Sequence, residues 1–409
     1  MRAASCQIIE TMVNMSSMTS DKHGSSADPY RIFFPLGTIL GIAGVSIWPL
    51  YHWGLASSYS GRSHAFVQTD CFLYAFIAGF LWTAIPKFTG TRPPSRAVQY
   101  FLASLLIAQL IVFELQYFAA GHLLFILTHA TFVVVVVRCF IRRQHPPPET
   151  FVFVGLGLLA GMAGAVINAG IALELISPVL DLLGKRLLTE GMVLLLVLGV
   201  GGFLGPRLLG FAQLPNFQNL EKLSGAEKPP RTVALRQEIY ATAGFLLVVS
   251  VIVEYGLKLP GLAWLRAGVA TLVILMNLRP WRTPVTRTTL AWCVWTAHWL
   301  LIASLWLVAA LPKYRIDFLH VMFIGGFTLL ILAVGTRVVL SHGGHALSEE
   351  NRSWPLRIGL VTGIIAMLAR AGAPFSPDSY FSHLAWAAVF WIPGMGIWGY
   401  YLIRRIVRG

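Results

Sequence analysis

AGFLWTAIPKFTGTRPPS, Ala78–Ser95, decides the fold. Its first half closes a long apolar run. Its second half is a short basic loop rich in Pro and Gly. An apolar run that ends at Pro86 and turns through Gly90, Pro93 and Pro94 reads as a membrane-spanning helix followed by a tight turn. Composition extends that reading to the whole chain. Of 409 residues, 56% are hydrophobic and 12% charged. Soluble domains carry about 25% charged residues, so this chain has too few to cover a water-facing surface. The net charge of +14 excludes no membrane reading and does not point to nucleic acid, because Lys and Arg stand singly or in pairs between apolar runs. Cys6, Cys71, Cys139 and Cys293 are widely spaced and form neither a CxxC pair nor a disulfide framework.

Working outward, a spanning helix needs roughly 20 apolar residues. The candidates are Phe33–Ala56, Phe66–Pro86, Gln99–Tyr117, His122–Val137, Phe151–Leu173, Leu187–Leu204, Ile239–Tyr255, Gly261–Leu278, Leu290–Ala310, Phe318–Leu340, Leu356–Ala369 and His383–Ile403. The expected fold is therefore all-α, a polytopic membrane protein of about twelve transmembrane helices. Residues 1–30 are polar and Ser/Met-rich, lack a signal-peptide pattern, and read as a disordered cytoplasmic tail. Residues 31–409 form the transmembrane domain, with helices 1–6 in 31–206, a polar linker at 207–238, and helices 7–12 in 239–404. With the N-terminus inside, 23 of the 31 Lys and Arg residues fall on cytoplasmic segments and 8 on outer ones. That asymmetry predicts that both termini are cytoplasmic. The first partner of such a chain is membrane lipid.

Titratable groups in hydrocarbon are costly, so each is a functional candidate. On this topology they gather in the outer half. His52, His64, His122, His320 and His383 lie at outer helix ends, His129 about two turns below that surface, and His298 near mid-depth. Asp70, Glu114, Glu190, Glu254 and Asp317 fall in the same half or at its boundary. Such a cluster suits a redox metal site, whose imidazoles need partners that fix the tautomer, or a proton path. It equally suits wetted interface residues, or, for His129, a hydrogen bond between helices. Cys71 lies two turns along one face from His64. It reads either as a soft copper ligand or as a small core hydrophobe.

Several stretches together resemble the NnrS family, haem- and copper-containing bacterial inner-membrane proteins linked to nitric oxide. RIFFPL at 31–36 is similar to the opening of the family's first helix. HAFVQ at 64–68 falls where the family has His-x-His-Glu-Met, with His64 matching the first His and Phe66 and Val67 replacing the second His and the Glu. AGFLWTAIPKFTG matches closely. GKRLLTEGMVLLLVLGVGGFLGPRLL at 184–209 resembles the sixth helix. AWCVWTAHWLL places His298 where the ninth helix carries a His. In HVMFIGGFTLLILAVGTRVVLSHGGHAL at 320–347, His320, Gly325, Arg337, His342 and Gly344 carry the match.

The resemblance implies a haem, with copper as a second metal, and nitric oxide or a related small molecule as ligand. It converges on His64, His298 and His320 as cofactor and metal residues, with His129 behind them and His342 and Cys71 as further metal candidates. Asp70, Glu114, Glu190 and Arg337 complete the polar set. The outer halves of helices 2, 9 and 10 are then expected to bring His64, His298 and His320 around one cavity. Arg337 and His342 read as a second polar site or as an orientation anchor, and the Pro-rich loop as a structural hairpin. No catalytic residue is assigned. Two other classes stay open: a twelve-helix secondary transporter of a small solute, and a membrane assembly subunit without cofactor.

Overall fold

The computed structural model describes residues 28–212, 231–259 and 261–408. Their regular structure is helical throughout, with no strand among the described residues. The long apolar helices, with one shorter one (α8), are α1 (Tyr30–His52), α2 (Gly61–Thr89), α3 (Arg96–Glu114), α4 (Phe118–Ile141), α5 (Glu149–Ala172), α6 (Pro178–Leu208), α7 (Val233–Gly256), α8 (Leu262–Leu278), α9 (Thr289–Ala310), α10 (Pro312–His342), α11 (Trp354–Phe375) and α12 (Pro377–Arg408). Eleven are long and apolar enough to cross a bilayer. The chain is a multi-pass membrane protein. The expected eighth helix forms but is short, at 17 residues. The eleventh runs longer than its apolar core suggests, because Trp354 and Pro355 start it early and a 3₁₀ turn extends it to Phe375. The expected tail at 1–30 lies outside the described residues up to Ser26 and Ala27, and α1 takes up its last residue. The linker narrows likewise: α6 reaches Leu208, a helix is in place by Arg231, and residues 213–230 lie outside the described residues.

Three helices differ from the rest. α2, α6 and α10 span 29, 31 and 31 residues, and 78, 72 and 67% of their apolar windows are buried, against 33–56% for the other eight long helices. They are the inner helices. After an opening 3₁₀ turn in α6 and α10, each runs through a six-residue α-helical segment and then widens into π-helical turns, at Val67–Leu73, Leu187–Val193 and Val321–Thr328, before resuming α geometry. π turns inside α-helices are rare and concentrate at functional sites. They recur here on every fourth helix. The fourth residue of the turn is Asp70 in α2 and Glu190 in α6, both fully buried and both preceded by Thr; in α10 it is Ile324.

The outer helices pack around this centre, with α12 against both α11 and α1. Arg31 Nη1 donates to the carbonyl of Ile406 at 2.9 Å, so both ends of the described chain share one end of the bundle. That end is called the terminal end here, and the opposite one the far end. Small residues permit the closest crossings: a Cβ at Gly41 or Gly44 of α1 would overlap Phe72 or Val67 of α2.

Candidate functional site

The site begins with how three imidazoles are held. His64 Nδ1 lies 2.7 Å from the carbonyl of Gly44, His298 Nδ1 2.7 Å from that of Val294, and His320 Nδ1 2.7 Å from that of Ile316. A carbonyl only accepts, so Nδ1 carries the proton in all three rings and Nε2 keeps its lone pair. Metal-bound histidines are oriented in the same way, by donating the other ring N–H to a backbone carbonyl or carboxylate. His298 and His320 each use the carbonyl four residues back on their own helix, while His64 reaches across to α1.

The three do not share one wall. His64 and His320, both half-buried at the far end, lie within electrostatic reach of each other and of Arg370; Arg186 also reaches His320. Arg370 is buried and paired with Asp317 at 2.5 Å, and Tyr380 Oη stands 3.4 Å from both. His298, only 2% exposed, instead lines a central cavity of about 120 Å³ between α2, α6, α9 and α10. It is the one polar side chain on that wall; Phe, Leu, Ile, Val and Gly residues make up the rest. Gly201 of α6 faces it, and a Cβ there would come within 3.1 Å of His298 Nε2. The expected single cavity thus resolves into an imidazole pair beside arginines and a lone imidazole in an apolar chamber.

The remaining candidates fall elsewhere. His129 has both nitrogens engaged, Nε2–H with the carbonyl of Leu158 at 2.9 Å and Nδ1 with Tyr74 Oη at 2.8 Å. It ties α4 to α5 and α2 and offers no free lone pair. His342 is at the terminal end, where the Lys87 ammonium donates to its Nδ1 at 2.5 Å and Asp28 approaches to 3.7 Å. Its tautomer is therefore the reverse of the far-end pair. Arg337 pairs with Glu350 at 3.0 Å; burial raises the Glu350 carboxyl, and Arg337 pulls it back in part. Cys71 is a sealed free thiol inside the π turn. Asp70 accepts from Thr69 Oγ1 at 2.9 Å through one oxygen, and its other oxygen is buried without a partner. Glu114 is exposed at the end of α3. Among the described residues no three His, Cys, Asp or Glu side chains gather as a metal-holding group.

Two features escaped the sequence reading. Glu190 of α6 pairs with Arg266 at 2.7 Å and with Arg186 at 3.5 Å; Arg266 also pairs with Glu254 at 3.0 Å, and Arg315 closes on Glu254 from α10. Arg266 is 1% exposed inside α8. A lone Arg within LAWLRAGVATL was the available signal. His122, expected as a wetted interface residue, is fully buried between Phe66, 4.3 Å away, and Phe113, with neither ring nitrogen partnered. Only the aromatic composition around it hinted at a dry site.

Comparison with known proteins now gives this geometry a context. The family model described as "NnrS protein" matches residues 26–408, so the chain belongs to the NnrS family, which supports a membrane protein of the nitric oxide response in general. No curated protein matches it.

Proposed function

We propose that this NnrS-family member is a haem protein of the nitric oxide response, with the haem held by His64 and His320 at the far end. The supporting observation is the common anchoring of Nδ1, which leaves an Nε2 lone pair on each ring, with both rings at the far end of the inner helices α2 and α10 and within electrostatic reach of each other. A haem supplies four of its own nitrogens to the iron, so two protein imidazoles suffice where a three-ligand copper site would not be filled. Two imidazoles are a donor set that fits haem, and among the described residues no three His, Cys, Asp or Glu side chains gather for a second metal. Arg370 and Arg186 stand on the same side as these rings, each already paired with a carboxylate of the chain, Asp317 and Glu190. When bound, the haem supplies an iron centre with affinity for nitric oxide. The chain's own residues would set the rest: the carbonyls of Gly44 and Ile316 orient the two rings that would hold it.

His298 has a separate part in this reading. Its chamber is apolar and of a size that stays dry and admits a small uncharged gas. Nitric oxide suits it better than any ion or polar solute. A solute transporter is disfavoured on two grounds. The α2–α3 loop carries PKFTGTRPPS rather than a transporter signature. The inner helices recur every fourth helix, whereas two transporter halves would repeat every sixth. We place the terminal end in the cytoplasm of a bacterial inner membrane, on the 23-to-8 charge split. The deciding experiment is the absorption spectrum of the purified protein. A Soret band supports haem; a colourless protein that remains so after haem is supplied favours the assembly-subunit reading.

A further inference from the structure

The Pro-rich loop that the haem reading leaves unused builds a second cavity. Pro86 does not end α2 as expected but lies inside its last turn; Gly90, at φ +67°, ends the helix after Thr89, and the Thr91 amide caps the carbonyl of Pro86 at 2.8 Å. The Gln144 amide then donates to the carbonyl of Thr89 at 2.7 Å, tying the segment after α4 to the end of α2. Pro93 and Pro94 stiffen the remainder. The result is a cavity of about 520 Å³ at the terminal end, between this loop, α3 and α4.

Its lining is one-signed. Arg92 comes from the loop, Arg138 from the last turn of α4 and Arg142 from the cap that follows it, and no carboxylate joins them. None of the three forms an ion pair with a described residue. The three arginines are exposed around one concave space, where an anion would offset their mutual repulsion, and phosphate is the anion whose oxygens match their fork geometry. Ser95, the N-cap of α3, adds a hydroxyl to the same lining. The floor is apolar, with Val98, Val135 and Cys139. Just outside, α4 presents Val134, Val137 and Ile141, which are 65, 46 and 76% exposed. A basic mouth over an apolar strip, at the end where loops are richest in Lys and Arg, matches a charged headgroup above its acyl chains.

We propose that Arg92, Arg138 and Arg142 form a phosphate-binding site whose occupant is the headgroup of an acidic phospholipid. The site is independent of the haem reading and stands or falls without it. It gives AGFLWTAIPKFTGTRPPS a ligand in place of a purely structural hairpin. Basic pockets beside transmembrane helices gain about 1 kcal/mol per Lys or Arg from anionic lipid, which is roughly fivefold in affinity for each.

The test uses the full chain in neutral detergent, read by native mass spectrometry with added phosphatidylglycerol, phosphatidylcholine or inorganic phosphate. Phosphatidylglycerol should stay bound and phosphatidylcholine should not. The triple variant R92Q/R138Q/R142Q should bind phosphatidylglycerol on the order of 100-fold more weakly, and Arg138→Gln alone about fivefold, so the single variant serves if the triple one does not fold. Arg404→Gln, an exposed arginine of α12 at the same end, should change nothing. Inorganic phosphate that displaces the lipid at millimolar concentration assigns the site to a free phosphate instead, with the same arginines. Equal retention of both lipids, or an equal loss in Arg404→Gln and Arg138→Gln, overturns the proposal.

Discussion

The two polar ends of the bundle use histidine in opposite ways. At the far end His64 and His320 donate through Nδ1 to carbonyls and keep Nε2 as an open acceptor. At the terminal end His342 accepts at Nδ1 from Lys87, beside Asp28 and the Tyr30 ring. A neutral imidazole has one N–H and one lone pair. The far-end rings can therefore ligate a metal through Nε2, while His342 has already given its lone pair to an ammonium. The same residue type is free to act as a ligand in one place and is a strut in the other, and the partner of a single nitrogen decides which. That His342, Lys87 and Asp28 all come from stretches that resemble the family, or adjoin one, shows that a motif can mark an architectural joint as readily as a cofactor site.

Mutation should separate the two ends most sharply in the spectrum. His64→Ala or His320→Ala should abolish most of the Soret absorbance per protein, and His342→Ala should leave it intact at equal yield. Equal bleaching by all three would erase the distinction. Next in size is the far end's ionic network. Arg266→Ala leaves Glu190 and Glu254 as buried charges with fewer partners and should destabilise by about 3–5 kcal/mol, seen as a large fall in melting temperature. A change of under 1 kcal/mol would show that the network is hydrated and not dry. His298→Ala should spare the Soret band, because its ring stands in the apolar chamber, yet change the rate at which added nitric oxide perturbs the spectrum. A bleached His298→Ala protein would move the haem into the chamber. Tyr74→Phe should cost about 1–3 kcal/mol by leaving His129 Nδ1 unpaired.

The smallest effect belongs to the terminal end and to pH. Burial pushes the Asp28 carboxyl up, but its neighbours, the cations Lys87 and Arg31 among them, hold the group below its ordinary 3.8. A carboxylate with a depressed folded value contributes stability that is present above the unfolded value and lost as pH falls through the folded one. Asp28→Asn should therefore lower the melting temperature at pH 6, by less than about 1 kcal/mol for a pair still partly open to solvent, and match the parent protein once the pH has fallen below the folded value of Asp28. A difference that persists after Asp28 is protonated would trace the effect to packing and not to charge.

Much of the architecture was legible because hydrocarbon thickness imposes helix length and the Lys/Arg pattern counts crossings. α8 was found as a helix, but Arg266 within it counted toward an outer segment, since charge statistics do not say where a side chain turns. The π turns left no trace in apolar periodicity: VQTDCFL and LLTEGMV share only a Thr-acid pair, and VMFIGGFT lacks even that. The recurrence on every fourth helix was therefore invisible. His64, His298 and His320 stood out through position and resemblance. Their tautomers did not, because these depend on carbonyls that come near only in the folded bundle. His122 was misread because proximity to a helix end predicts water, and Phe66 and Phe113 exclude it.

The π turns carry one further consequence, for how such a protein tolerates change in length. An α-helix advances 100° per residue, and a π turn in effect holds a residue more than the α ladder needs. Removing one residue within Val67–Leu73 would let α2 relax into an unbroken α-helix, with its apolar half still seated against α6 and α10. Everything before the deletion would swing about its axis by roughly 100°, carrying His64 away from His320. A deletion in this stretch thus preserves the packing and dismantles the imidazole pair, so each inner helix holds in reserve a one-residue dial between its scaffold half and its chemical half.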